Sequence, residues 1–375
     1  MNLSKKHIWP PRKVYDKKKN IAHKDTCFYV FFVIRYVTKR RSFMKNSERI
    51  CEIVRDIKVE YRQKIGLPKD VKFGTEIEFE SAIYHNVYVA LQSIKKVNKW
   101  LLKRDESVAM VYNGEDHGGE VVSPILHDTK TAWSDLKTAC TLIKKQRGYA
   151  HKSSGAHIHI DSGILKDQEE YILNFIKLWM LYEHVIYRFV YGELTAPRRS
   201  LPLYAAPVMP YIYEFLLEYS NNPDKIYQCL NNQTIHKNCK LYYLLSQYIK
   251  DPNALNNGIN FGHCNGINSK ELNTIEFRCP NGTLSHIVWQ NNVNLFTKLL
   301  LYCTKSDFDI EFINKKIQDY TYKRLEQYSD IYLDDAIELA NLVFDNELDK
   351  MYFLKQYLQI YEYNFKTIKE KALKR

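Results

Sequence analysis

Val71-Lys-Phe-Gly-Thr-Glu-Ile-Glu-Phe-Glu80 alternates acidic and apolar side chains with a period of two, the pattern of a strand with one face on a core and the other in water. Side chains at i and i+2 project to the same side, so Glu76, Glu78 and Glu80 share one face, while Ile77 and Phe79 share the other. Two later stretches repeat the pattern. Ala156-His-Ile-His-Ile-Asp161 groups His157, His159 and Asp161 over Ile158 and Ile160, and Asn273-Thr-Ile-Glu-Phe-Arg-Cys279 groups Glu276 and Arg278 over Ile275 and Phe277. Three strands thus each offer an apolar face to a core and a face of metal- or phosphate-competent groups to the other side.

The intervening sequence is largely helical by spacing. A lead-in helix is predicted over 44–65, where Ile50, Ile53, Val54, Ile57 and Tyr61 recur at helical intervals before Gly66-Leu-Pro68. Further helices are predicted over 86–104, 129–147 and 167–191, in patches from 210 to 250, and from 285 onward apart from turns near 304–307 and 327–334. Short strands at 108–112 and 120–122 flank a polar turn, Asn113 to Gly119. Sparse strands, polar on one face and separated by a long helical block, argue against a parallel βαβ sheet and for an α+β fold with a largely antiparallel sheet. The expected organisation is a basic, weakly structured extension over 1–43, a catalytic domain over 44–290 with a helical insertion at about 165–255, and a helical C-terminal region over 291–375 packed on it.

Composition narrows the function. With 375 residues, 45% hydrophobic and 26% charged, the chain can bury a large core, and collagen-like or wholly disordered readings are excluded. Residues 1–43 hold twelve Lys and Arg against Asp16 and Asp25, a local charge of +10, which leaves the other 332 residues at only +2. A nucleic-acid partner is therefore not expected for the folded body and could be reached only through the 1–43 arm. The longest apolar run, Phe28 to Ile34, falls far short of the roughly 20 residues that span a bilayer, and no membrane partner is expected. A signal peptide is not expected either, since the run begins late and lacks a small-x-small cleavage site; Met44 is expected to be the functional start. Eight scattered cysteines without a C-x-x-C pair fit reduced thiols and a cytoplasmic location.

Each polar pair has an innocent reading: a solvated strand face, an incidental His-x-His, a cross-strand ion pair of little worth. Their joint occurrence, with Gly118-Gly-Glu120 between them, outweighs those readings. Clustered carboxylates without thiolates favour Mg²⁺ or Mn²⁺, whose usual partner is a polyphosphate. An arginine on the same face would clamp charge developing in phosphoryl transfer. No P-loop or kinase-like set is present, so a nucleotide would bind through metals on a sheet.

Four segments in order carry a family resemblance: Phe73-Gly-Thr-Glu-Ile-Glu-Phe79, Gly118-Gly-Glu-Val-Val-Ser-Pro124, Ser154-Gly-Ala-His-Ile-His159, and Asn273-Thr-Ile-Glu-Phe-Arg278 followed by Asn281-Gly-Thr-Leu284. Over about residues 71–290 the chain resembles the glutamine synthetase-like carboxylate-amine ligases, and more closely the amidoligase family within them. The resemblance implies a curved, mostly antiparallel sheet whose concave face holds ATP and two or more Mg²⁺ or Mn²⁺ ions. It implies Glu76, Glu78, Glu120 and Glu276 as metal ligands, His157 as a metal or nucleotide ligand, His159 as a neighbour in the cofactor site, and Arg278 on the transferred phosphate. Pro197-Arg-Arg-Ser-Leu-Pro-Leu-Tyr204 looks like the family's Arg-and-Tyr loop and adds Arg198; Asn265 and Asn268 are similar to its strand-preceding asparagine.

The activity so implied is ATP-dependent amide formation through an acyl phosphate, on small-molecule, peptide or protein carboxylate and amine substrates; homo-oligomers occur among related ligases. Asp161 and Glu80 lie on the faces a general base would need. Three other readings stay open: a metal-dependent hydrolase, a guanidino-kinase-like phosphotransferase, and a helical interaction protein with an inactive sheet site.

Overall fold

A computed structural model describes residues 50, 53–150, 153–194, 196–223, 240–264 and 273–359. The three alternating stretches all form strands: β1 (Phe73–Ile83), β5 (Ala156–Asp161) and β7 (Thr274–Phe277). With β2 (Leu101–Lys103), β3 (Met110–Tyr112), β4 (Glu115–Val122) and β6 (Ile259–Asn260) they make a seven-stranded open sheet in the order β2-β4-β1-β5-β7-β6, with β3 also on β4. Every ladder between these strands is antiparallel, so the α+β reading holds.

The polar stretch 113–119 differs from the expected turn. Only Asn113 and Gly114, both at positive φ (52° and 79°), make the β3–β4 hairpin turn, and the chain resumes as strand at Glu115. Gly118 and Gly119, at φ 78° and 154°, lie where the β1–β4 register shifts between Phe79 and Ile83. Glycines tolerate that backbone at a bulge, so a sequence rich in turn residues continues as sheet.

The apolar face is closed by helices: α1 (Tyr84–Ser93), α2 (Lys130–Lys145), α3 (Glu169–Val190), α4 (Leu201–Tyr204), α5 (Met209–Asn221), α6 (Lys240–Tyr248), α7 (His286–Tyr302), α8 (Ile310–Gln318), α9 (Leu333–Val343) and α10 (Glu347–Tyr357). Ile77, Phe79, Val121, Ile158, Ile160, Ile275 and Phe277 are fully buried, each worth about 1.5–3 kcal/mol of transfer free energy. Phe277 stacks on Phe296 of α7 at 4.1 Å and lies 5.7 Å from Trp179 of α3, while Phe73 stacks on Trp133 of α2 at 5.1 Å. α3 is buried nearly all round because α5, α7, α8, α9 and α10 surround it. α7 runs without a break across residue 290.

Two helices are shorter than their spacing predicts. α1 ends at Ser93, and Ile94, Val97 and Trp100 form successive three-residue turns (Val97 N–H to Ile94 O and Trp100 N–H to Val97 O, both 2.9 Å), because a spacing of three suits such turns as well as a helix. The lead-in helix stops at residue 56. Beyond it, distant partners claim the backbone: the Gln290 amide bonds both the N–H and the C=O of Arg62 (3.0 and 2.6 Å), and Asp128 accepts from the N–H groups of Ile65, Gly66 and Leu67. The described cysteines, Cys140, Cys264, Cys279 and Cys303, are buried and form no disulfide among the described residues. No helix among the described residues is long and apolar enough to cross a membrane. The 1–43 extension lies outside the described residues.

Candidate active site

Register assembles the polar face. Glu76 stands opposite His157, Glu78 opposite Glu120, His159 opposite Glu276, and Glu276 in turn opposite Asn260. Lys103 of β2 stands opposite Glu120 on the other side. Since directly paired residues share a face, these side chains, drawn from six strands, converge.

His157 is the hub, with its side chain only 3% exposed. Its Nδ1 lies 2.9 Å from Glu76 Oε2 and 3.8 Å from Glu276 Oε1, and its Nε2 lies 3.2 Å from Glu78 Oε1. His159 Nε2 is 3.2 Å from Glu76 Oε1, and Arg278 Nη1 donates to Glu276 Oε1 at 2.5 Å. Two groups of donor atoms, Glu76–His157–Glu276 and Glu78–Glu120–His157, each lie within 4.8 Å of one another. Oxygen-rich triads with one imidazole each and no thiolate suit a hard divalent cation.

The charges of this face are strongly coupled. Burial pushes the Glu76 carboxyl up, but hydrogen bonds from His157 and His159 outweigh it and hold the group far below the usual carboxylate range. Glu276 behaves alike: burial is outweighed by the hydrogen bond from His263 and the charge of Arg278. Glu120 goes the other way, pushed up to about 8 by burial and by the neighbouring charge of Glu76, with Lys103 opposing at 3.9 Å. A carboxylate held proton-ready among ionised ones marks a face short of positive charge, which a cation would supply.

Arg198 borders the cluster rather than standing free in it. It is buried, donates from Nη2 to the Arg278 carbonyl (3.0 Å) and from Nη1 to that of Pro280 (3.3 Å), and its backbone N–H is held by Asn281 Oδ1 (2.9 Å). Gly155 is required beneath it, because a Cβ there would collide with the Arg198 guanidinium. The Gly155 N–H donates to Glu78 Oε2, tying the Ser-Gly-Ala-His turn to the acidic cluster.

The structure therefore brings together Glu76, Glu78, Glu120, His157, His159, Glu276 and Arg278, with Arg198 at the border. Asn265 and Asn268 lie outside the described residues. Glu80 accepts from the hydroxyls of Ser153 and Ser154 (2.7 and 2.8 Å), and Asp161 accepts from the Gly163 N–H (2.9 Å), so both candidate bases hold local structure. Three residues that the sequence does not single out join the face. Asn260 donates to Glu276 Oε2 (2.8 Å), His263 Nε2 lies 3.4 Å from the same oxygen, and Lys103 faces Glu120. They sit on or beside strands of two and three residues, too short for alternation to show.

Fold and site together define an α+β protein whose open antiparallel sheet carries a carboxylate- and imidazole-lined face over a helix-packed core. A family model described as "Putative amidoligase enzyme" matches residues 69–300, from just before β1 into α7, and the chain belongs to that family, an enzyme family of the ligase kind. No curated protein matches the chain.

Proposed function

We propose that the chain is an ATP-dependent carboxylate–amine ligase working with Mg²⁺ or Mn²⁺ on a glutamine synthetase-like fold. The observation that carries this reading is the pair of donor triads sharing His157, with Arg278 fixed on Glu276 at their edge. The overall reaction has two stages. A carboxylate oxygen of one substrate takes the γ-phosphoryl group of ATP, giving ADP and an acyl phosphate; the amine of the second substrate then attacks the acyl carbon, phosphate leaves, and the amine loses a proton to form the amide.

Bound divalent ions would neutralise polyphosphate charge and polarise the transferring group. Glu76 and Glu276 would hold one and Glu78 and Glu120 the other, with the neutral His157 ring giving its one lone pair to either set. Asn260 and His263 steady Glu276 at Oε2. Arg278, with its side chain 19% exposed, presents the rest of its guanidinium to the phosphoryl oxygens.

Calorimetric titration of ATP into the full chain tests the reading. Binding is expected only with Mg²⁺ or Mn²⁺, weakened about tenfold or more by Glu276→Gln, a change of 1.4 kcal/mol or above. Absence of binding to the folded wild type with either ion overturns it. Product mass then separates an amide from a phosphorylated amine or a hydrolysed substrate.

A further inference from the structure

We infer that the chain self-associates as a symmetric dimer through the outer edge of β3, an inference independent of the ligase reading. β2 and β3 line successive stretches of one edge of β4: Leu101–Lys103 pair with residues 120–122, and Met110–Tyr112 with residues 115–117. Among the described residues no strand lies beyond them, so this edge of the sheet is open. At the opposite edge, Ile259 of β6 is buried.

The open edge is apolar on both sides. Met110, Val111 and Tyr112 are 54, 64 and 61% exposed, so apolar side chains stand out from both faces of β3. Natural sheets guard such an edge with charge or proline, and Met110–Tyr112 has neither. Leu101 on β2, and Tyr88 and Val89 on α1, are 60, 47 and 50% exposed. Tyr84 ties these to the edge: its hydroxyl donates to the Leu102 carbonyl (3.0 Å), and both Tyr88 and Asp116, the β4 partner of Val111, lie near it. The six side chains expose roughly 600 Å² per copy, so a pair would cover about 1,200 Å², the lower limit of stable interfaces.

Backbone geometry fits a second copy to this edge. In a two-residue hairpin the residues flanking the turn, here Tyr112 and Glu115, form a hydrogen-bonded pair, and bonding direction alternates along the strand. Val111 therefore points its N–H and C=O away from β4. Two copies meeting antiparallel about a two-fold axis at Val111 exchange both bonds, each N–H donating to the C=O of the other copy. The same axis sets Met110 of each copy opposite Tyr112 of the other, a thioether against an aromatic ring, twice over. The next outward N–H, that of Ala109, already donates to the Asp105 carbonyl (2.7 Å), which limits the new ladder to the central pair of bonds. A self-complementary contact of this kind closes at two copies.

Analytical sedimentation of the full chain between about 1 and 100 µM tests this. The average mass is expected to rise from one chain toward two across that range, as suits an interface of minimal area. Val111→Pro removes an N–H that β4 does not use, and prolines are tolerated on strand edges, so the variant should keep the wild-type melting temperature while the dimer weakens about tenfold or more. Val111→Lys sets like charges face to face across the axis and should weaken the dimer as much; if Val111→Pro melts early, this second variant decides alone. A wild type that stays monomeric to about 100 µM overturns the inference. A dimer that survives the substitution in a normally melting variant also overturns it, as does growth beyond two copies.

Discussion

Glu76 and His157 face each other across the β1–β5 ladder, Oε2 to Nδ1 at 2.9 Å, and the other ring nitrogen of His157 reaches Glu78 at 3.2 Å. One imidazole thus touches both donor triads. His157→Asn should lower Mn²⁺ affinity about tenfold or more at the position that takes the ring's one lone pair, while Glu120→Gln should affect only the position beside Glu78. Paramagnetic titration of Mn²⁺ into each variant checks this; two unaffected sites in His157→Asn would remove the imidazole from the proposed ion site.

Arg198 ties the loop after α3 to the end of β7 through the carbonyls of Arg278 and Pro280. Arg198→Ala leaves those buried acceptors unpaired and opens a void, an expected loss of about 2–4 kcal/mol in urea unfolding. Gly155→Ala, which drives a methyl group into the same guanidinium, should destabilise as well.

Glu183, fully buried on α3, accepts from Trp179 Nε1 (2.9 Å), the N–H groups of Val208 and Met209 (2.7 and 3.0 Å) and Tyr328 Oη (2.7 Å). Burial raises its carboxyl pKa and the four donors pull against that rise. Glu183→Gln points an N–H₂ group at donors and should cost about 2–4 kcal/mol, read as a lower melting temperature. An unchanged melting point would mean that the α3–α5 junction rearranges freely.

His286, at the start of α7, is held down to about 4 by burial and by the charges of Lys137 and Lys144, against 6.5 for an ordinary histidine. Between those values the unfolded chain binds a proton that the folded chain does not, so stability falls as pH drops from 6.5 toward 4. His286→Asn should therefore melt higher relative to the wild type at pH 5 than at pH 8. Parallel melting curves at the two values check the sign.

Much of this site is legible along the chain because a strand's period of two is local. Glu76, Glu78, His157, His159, Glu276 and Arg278 each declare a face through their immediate neighbours. Lys103, Asn260 and His263 declare none, since β2 and β6 are shorter than one recognisable alternation and exist because β4 and β7 offer free edges. Helix limits fail similarly. Ile57 and Tyr61 keep helical spacing, yet the Gln290 amide, more than two hundred residues away, claims the backbone of Arg62.

The amino-acid sequence by itself determined the strand faces, the long buried helix α3, the α+β class and the hard-donor chemistry, since each follows from side chains within a few residues of one another. Only the tertiary structure decided which faces meet. Antiparallel register set His157 between Glu76 and Glu78, while Glu80 and Asp161 turned to local hydrogen bonds. Those outcomes depend on strand pairing between segments some forty to one hundred and twenty residues apart, a choice made by the packing of the whole core rather than by any local pattern.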